Sequence, residues 1–207
     1  MTDVLSVDVE DPAEEATTGA HGSSTGISNE KLAMWVFLGS DCLLFGALIS
    51  TYLLLRHRVT HGPTPAETFD IPFTSVSSFV LLMSSLTMAL AVGAIHRGDV
   101  RRCRTWLLTT ALLGSVFISG QVYEFQTFVK EGMGFTTNSA SSSFYTLTGF
   151  HGVHVTLGIV MLISTAVLSW RGRVPLERAE SVEIVGLYWH FVDVVWVLIF
   201  TIVYLIK

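Results

Sequence analysis

Six ionisable side chains, Asp41, Glu124, His151, His154, His190 and Asp193, fall inside stretches of sequence that otherwise carry no charge. Such groups are rare in apolar segments and usually turn toward the interior of a helix bundle. Their types allow three kinds of chemistry. Histidine is the commonest metal ligand, and histidine with carboxylate suits iron or manganese. Carboxylates inside a membrane commonly mark proton relays, which here would run through Asp41, Asp193 and Glu124. The third use is structural: the groups satisfy one another, nearby backbone or lipid head groups, and fix the register of helices. Spacing constrains these readings. His151 and His154 are three apart, as are His190 and Asp193, so each pair shares one helix face. Two histidines so placed on one helix cannot clamp both faces of a single haem, so a bis-histidine haem would need His154 and His190 from different helices. Trp189 and Trp196 flank the second pair, and their indole N–H groups need acceptors, which turns them toward helices rather than lipid.

The elements that position these residues are membrane spans. Half of the 207 residues are hydrophobic and only 14% are charged, against about a quarter charged in a soluble domain. A helix needs about 20 mostly apolar residues to cross the hydrocarbon core. Five segments satisfy this, at about 32–55, 73–95, 106–128, 144–170 and 184–206, which predicts an all-α integral membrane protein with five transmembrane helices. Gly and Ser recur within the spans, as in SSFVLLMSSLTMALAVGA, so the helices can approach closely in a compact bundle. Rise along the helices puts Asp41, His190 and Asp193 between one face and the midplane, His154 near the midplane, and His151 and Glu124 nearer the other face. The outer connectors HRVTHGPTPAETFDIP and KEGMGFTTNSASSS read as irregular loops, and no internal repeat is visible.

The net charge of −5 is mainly a property of the amino-terminal tail, because Asp3, Asp8, Glu10, Asp11, Glu14, Glu15 and Glu30 lie in it. Residues 1–30 are expected to be a disordered, solvated arm, and 31–207 the transmembrane domain. The tail lacks the basic start and apolar core of a signal peptide, which leaves insertion to the first span. Lys31, Arg97, Arg101, Arg102, Arg104, Arg171, Arg173 and Arg178 fall on one side, against Arg56, Arg58, Lys130 and Lys207 on the other. This excess predicts a cytoplasmic amino terminus and a periplasmic carboxyl terminus. Trp35, Trp106 and Trp170 then read as an interfacial belt on the cytoplasmic side. The tract RRCR suits anionic head groups, not nucleic acid. Cys42 and Cys103 lie too far apart to suggest a disulfide or a metal site.

With their neighbours, the polar pairs form longer motifs. TGFHGVHVTLG at 148–158 followed by YWHFVDVVW at 188–196 resembles the signature of subunit III of the haem-copper respiratory oxidases. WVFLGSDCLLFGALISTYLLL is similar to the family helix that bears an intramembrane acid, SSFVLLMSSLTMALA to the next helix, and GQVYEF to the end of the one after. The five spans, SDC at 40–42, IPF at 71–73, GMG at 132–134 and FTIVYL at 200–205 are most similar to the bo-type ubiquinol oxidase branch. The seven-span cytochrome c oxidase form has two further helices and usually Glu where Asp41 stands. The resemblance implies an accessory role in a bacterial inner-membrane complex that oxidises ubiquinol, reduces oxygen to water and translocates protons. It implies packing against subunit I, which holds the haems and copper, with subunits II and IV in the same complex. It also implies phospholipid held in a cleft, support of proton uptake, and no catalytic residue, cofactor or metal in this chain. Asp41 matches the family acid near a proposed oxygen route. Glu124, His151, His154, Trp189, His190 and Asp193 match the polar core that bonds helices or lipid. The readings of another class are an independent proton channel and a haem-binding electron carrier; within the family, the other reading is a cytochrome c oxidase.

Overall fold

The computed structural model describes residues 28–56, 58, 70–171 and 179–206. The tail, except for its last three residues, and the basic residues Arg173, Arg178 and Lys207 lie outside them. Five helices account for nearly all of the described chain: α1 Asn29–Leu55, α2 Ile71–His96, α3 Val100–Lys130, α4 Ser139–Trp170 and α5 Ala179–Phe200. All five are long and apolar enough to span a membrane, the last with the turn Thr201–Leu205 that prolongs it.

Each span matches one apolar segment, but the helices start earlier than hydropathy suggests. The cause is capping chemistry. Asp99 Oδ1 accepts from Arg102 N at 3.0 Å, so α3 opens six residues before the apolar run. Asn138 Oδ1 accepts from Ser141 N at 2.7 Å, so SASSS, expected in the loop, is the first turn of α4. Asp70 and Ser28 cap α2 and α1 in the same way. Gly98, at φ 74°, and Gly132, at φ 90°, supply the left-handed residues that end α2 and α3. Many Ser and Thr hydroxyls within the spans donate to a carbonyl one turn back, as Ser115 does to Ala111 O at 2.8 Å. Such bonds let these residues stand in lipid without an unsatisfied donor.

Helices α2, α3, α4 and α5 pack as an antiparallel ring, each against two neighbours, and α1 lies outside it against α4 and α5. Burial follows from this placement: 17% of the apolar stretch of α1 is buried, against 50% in α5. The ring closes on Trp189. A Cβ on Gly114 of α3 would lie 2.6 Å from Trp189 Cη2, and one on Gly158 of α4 would lie 2.8 Å from its Cε3. The indole therefore fills space that only two glycines leave. At the far end α5 widens into a π turn, closed by Ile206 N donating to Thr201 O at 3.0 Å.

Candidate functional site

The intramembrane polar residues fall into three clusters. The first joins α1 to α4. Asp41 Oδ2 lies 3.5 Å from His154 Nε2, both side chains being nearly buried. His154 Nδ1 is 2.7 Å from Phe150 O. A carbonyl only accepts, so Nδ1 carries the proton of that bond. Nε2 is left facing the carboxylate across 3.5 Å, a close approach of the two side chains that joins α1 to α4. Tyr188 of α5 adds a bond from its hydroxyl to His154 O at 2.9 Å, beside Asp41. The edge of Phe45 covers the imidazole, with ring centroids 5.0 Å apart.

His151 shares the helix face of His154 and an edge contact with Phe45, at 6.4 Å, but otherwise faces α3 and α5. Its ring stacks on Trp196 of α5 at 4.9 Å and meets Phe117 of α3 edge-on at 6.1 Å. It is fully buried, and neither ring nitrogen has a hydrogen-bond partner among the described residues.

The second cluster joins α5 to α2. Ser85 Oγ is 2.7 Å from His190 Nδ1 and is also the polar neighbour of Asp193. Both Asp193 oxygens are buried without a well-formed hydrogen bond among the described residues. Trp189 Nε1 donates to Ser84 Oγ at 3.0 Å and Trp196 Nε1 to Ser78 Oγ at 2.8 Å, so α2 supplies the acceptors that both indoles require. The two polar pairs thus do not face each other. His154 meets Asp41 and His190 meets Ser85, which does not assemble the bis-histidine arrangement that a haem would need.

The third cluster lies at the end where α3 finishes. Thr74 Oγ1 donates to Glu124 Oε1 at 2.6 Å and Gln121 Nε2 donates to Glu124 Oε2 at 2.7 Å. Tyr204, on the π turn, stands beside the same carboxylate. Glu124 therefore ties α2, α3 and the end of α5 together. Among the described residues no three His, Cys, Asp or Glu side chains converge as a metal site would require. Cys42 is an exposed free thiol and Cys103 a buried one.

Several partners were not foreseen from the sequence. Lys31 and His96 both pair with Glu183, the latter at 2.8 Å, joining α1, α2 and α5 at the end opposite Glu124. Ser28 bonds Glu180 there as well. Glu183 sits one residue before the apolar run of the last span, where hydropathy gives no reason to examine it. The paired spacing of Ser78 and Ser84 against Trp196 and Trp189 is a usable signal, because both pairs lie about two turns apart.

The chain matches a family described as cytochrome c oxidase subunit III over residues 7–207. It is 34% identical over 204 residues to the cytochrome bo(3) ubiquinol oxidase subunit 3 of Pseudomonas aeruginosa, covering 99% of this chain and 97% of that protein. To the quinol oxidase subunit 3 of Bacillus subtilis it is 39% identical over 184 residues, 88% of this chain and 89% of the other. To the cytochrome c oxidase subunit 3 of Bacillus sp. PS3 it is 40% identical over 177 residues, 86% of each.

Proposed function

The chain belongs to the cytochrome c oxidase subunit III family, and within it we propose that it is the accessory third subunit of a proton-pumping ubiquinol oxidase of a bacterial inner membrane. In this reading it packs against catalytic subunit I, beside subunits II and IV, and the haems and copper belong to subunit I. It holds phospholipid against the complex and supports proton uptake, with no redox centre or catalytic residue of its own. The acidic tail faces the cytoplasm and the carboxyl terminus the periplasm.

The observation that supports the accessory reading best is what the intramembrane polar groups are used for. Glu124 bonds α3 to α2, His190 bonds α5 to α2, and both deep indoles donate to α2. These are bonds that hold a bundle together, as does the Asp41–His154 pair, which ties the outermost helix α1 to α4 within the span, alongside the Lys31–Glu183 pair at its end. The quinol assignment is favoured over cytochrome c by SDC at 40–42 and by Asp in place of Glu at position 41, features of the ubiquinol branch that the chain resembles. Among the relatives, both quinol and cytochrome c oxidases occur.

The test is to delete this chain from the oxidase and follow the purified remainder. The accessory reading expects haem spectra and initial turnover to survive while turnover lifetime falls. Loss of a haem band with this chain, or a Soret band carried by it alone, would overturn that reading. Copper ligands in the partner subunit II would assign cytochrome c as donor instead of quinol.

A further inference from the structure

The basic turn that opens α3 borders a groove of about 540 Å³, walled by Arg101, Arg104, Thr105, Leu108, Leu112 and the end residue of α4, Trp170. We propose that this groove binds one anionic glycerophospholipid, with its phosphate at the Arg101–Arg104 turn and an acyl chain along Thr105–Leu112. The proposal rests on the reading of the chain as a lipid-holding oxidase subunit and gives that reading a place and a head-group charge.

The polar end is built for an anion. Arg101 and Arg104 are three apart and share a face. Arg104 is fixed by two bonds to Ser169, Nε to Oγ at 2.9 Å and Nη2 to the carbonyl at 2.5 Å, so its guanidinium is already oriented. Arg101 is exposed and has no ion pair among the described residues. The neighbouring Arg102 differs: it pairs with Asp99 at 3.2 Å and does not line the groove. No acid lines the groove either. A zwitterionic head group would bring its cation against two guanidiniums, whereas a net negative one meets only complementary charge.

The rest of the groove is built for a chain. Thr105 Oγ1 donates to Arg101 O at 3.1 Å and Thr109 Oγ1 to Thr105 O at 3.0 Å, so both hydroxyls are used and the threonines present methyl groups. Leu112 below them is 64% exposed. From Arg101 to Leu112 the helix rises about 16 Å, close to half of the ~30 Å hydrocarbon core. The groove is therefore one leaflet deep, with Trp170 at head-group level, where amphipathic rings collect. A free inorganic anion would use only the first turn.

The assembled oxidase, purified in mild detergent and supplied with equal phosphatidylglycerol and phosphatidylcholine, tests this by native mass spectrometry. The expected result is one fewer retained phosphatidylglycerol per complex in Arg101→Gln and in the double variant Arg101→Gln/Arg104→Gln, with Arg102→Gln unchanged from the parent. Arg101 makes no bond that folding depends on, so the single variant keeps the test clean of misassembly. Equal phosphatidylglycerol counts in parent and Arg101→Gln overturn the proposal. So does equal loss in Arg102→Gln, which would mean a diffuse basic surface, or displacement of the lipid by inorganic phosphate. Retention of this chain in the complex is scored in the same spectra. A complex that keeps the chain but shows no site-specific lipid sinks this inference and leaves the accessory reading standing.

Discussion

Glu124 is buried, yet both of its oxygens accept a bond from a different residue. Replacing it with Leu would leave the buried Gln121 amide without its carboxylate acceptor, costing about 1–3 kcal/mol, and Thr74 Oγ1 with only its bond to Asp70 O at 2.9 Å. Glu124→Leu should therefore lower the thermal midpoint of the complex and release this chain on detergent purification. Glu124→Gln keeps an acceptor and should cost much less. Equal loss in both variants would show that charge, not hydrogen bonding, is what α2 and α3 require. Asp41 allows a sharper contrast. Asn in its place can donate Nδ2–H to His154 Nε2, which keeps the contact without the carboxylate. If the pair only joins α1 to α4, Asp41→Asn should match the parent in turnover lifetime while Asp41→Leu shortens it. Lifetimes that shorten alike in both variants would make the carboxylate itself the essential feature.

At the scale of elements, α5 organises the bundle because Trp189 enters a gap left by Gly114 and Gly158 and bonds to Ser84. Gly158→Ala puts a methyl 2.8 Å from the indole, and neither ring nor backbone can yield without repacking three helices. Overpacking of this kind costs about 1–3 kcal/mol. The expected outcome is weaker retention of the chain in a detergent series, with Gly39→Ala as a silent control because nothing lies within 4 Å of that site. Full retention of Gly158→Ala would contradict the role given to Trp189. How much of this was legible in the sequence depends on the kind of signal. The spans were legible because lipid selects composition, and composition is local. The early starts of α3 and α4 were not, because hydropathy measures the bilayer, whereas Asp99 and Asn138 cap helices that extend beyond it. Asp41, His151 and Asp193 stood out as ionisable residues in apolar runs, but their surroundings did not. A spacing of three puts His151 and His154 on one face without saying that Asp41 of α1 meets only His154. Ser84 and Ser85 were indistinguishable from the other small residues of α2 until α5 was seen against them.

At the scale of the whole molecule, the two ends carry different charge. Lys31, Arg97, Arg101, Arg102, Arg104 and Arg171 stand at one end among the described residues, and Arg56, Arg58 and Lys130 at the other. Positive residues within short loops are retained on the cytoplasmic side during insertion, so the first end should face the cytoplasm. The exposed positions Arg97 and Thr136 report on opposite ends. With Cys42 and Cys103 replaced by Ser, Thr136→Cys should react with a membrane-impermeant maleimide in spheroplasts, and Arg97→Cys only in inverted vesicles. The reverse pattern would overturn the orientation. It would also move the Arg101–Arg104 groove to the outer leaflet, where the guanidiniums would no longer meet the anionic cytoplasmic surface that attracts basic segments. The labelling and the lipid count are therefore coupled. A groove that retains phosphatidylglycerol in a chain labelled at Thr136→Cys from outside would place one bound lipid in the cytoplasmic leaflet, at the end where Lys31 and His96 converge on Glu183.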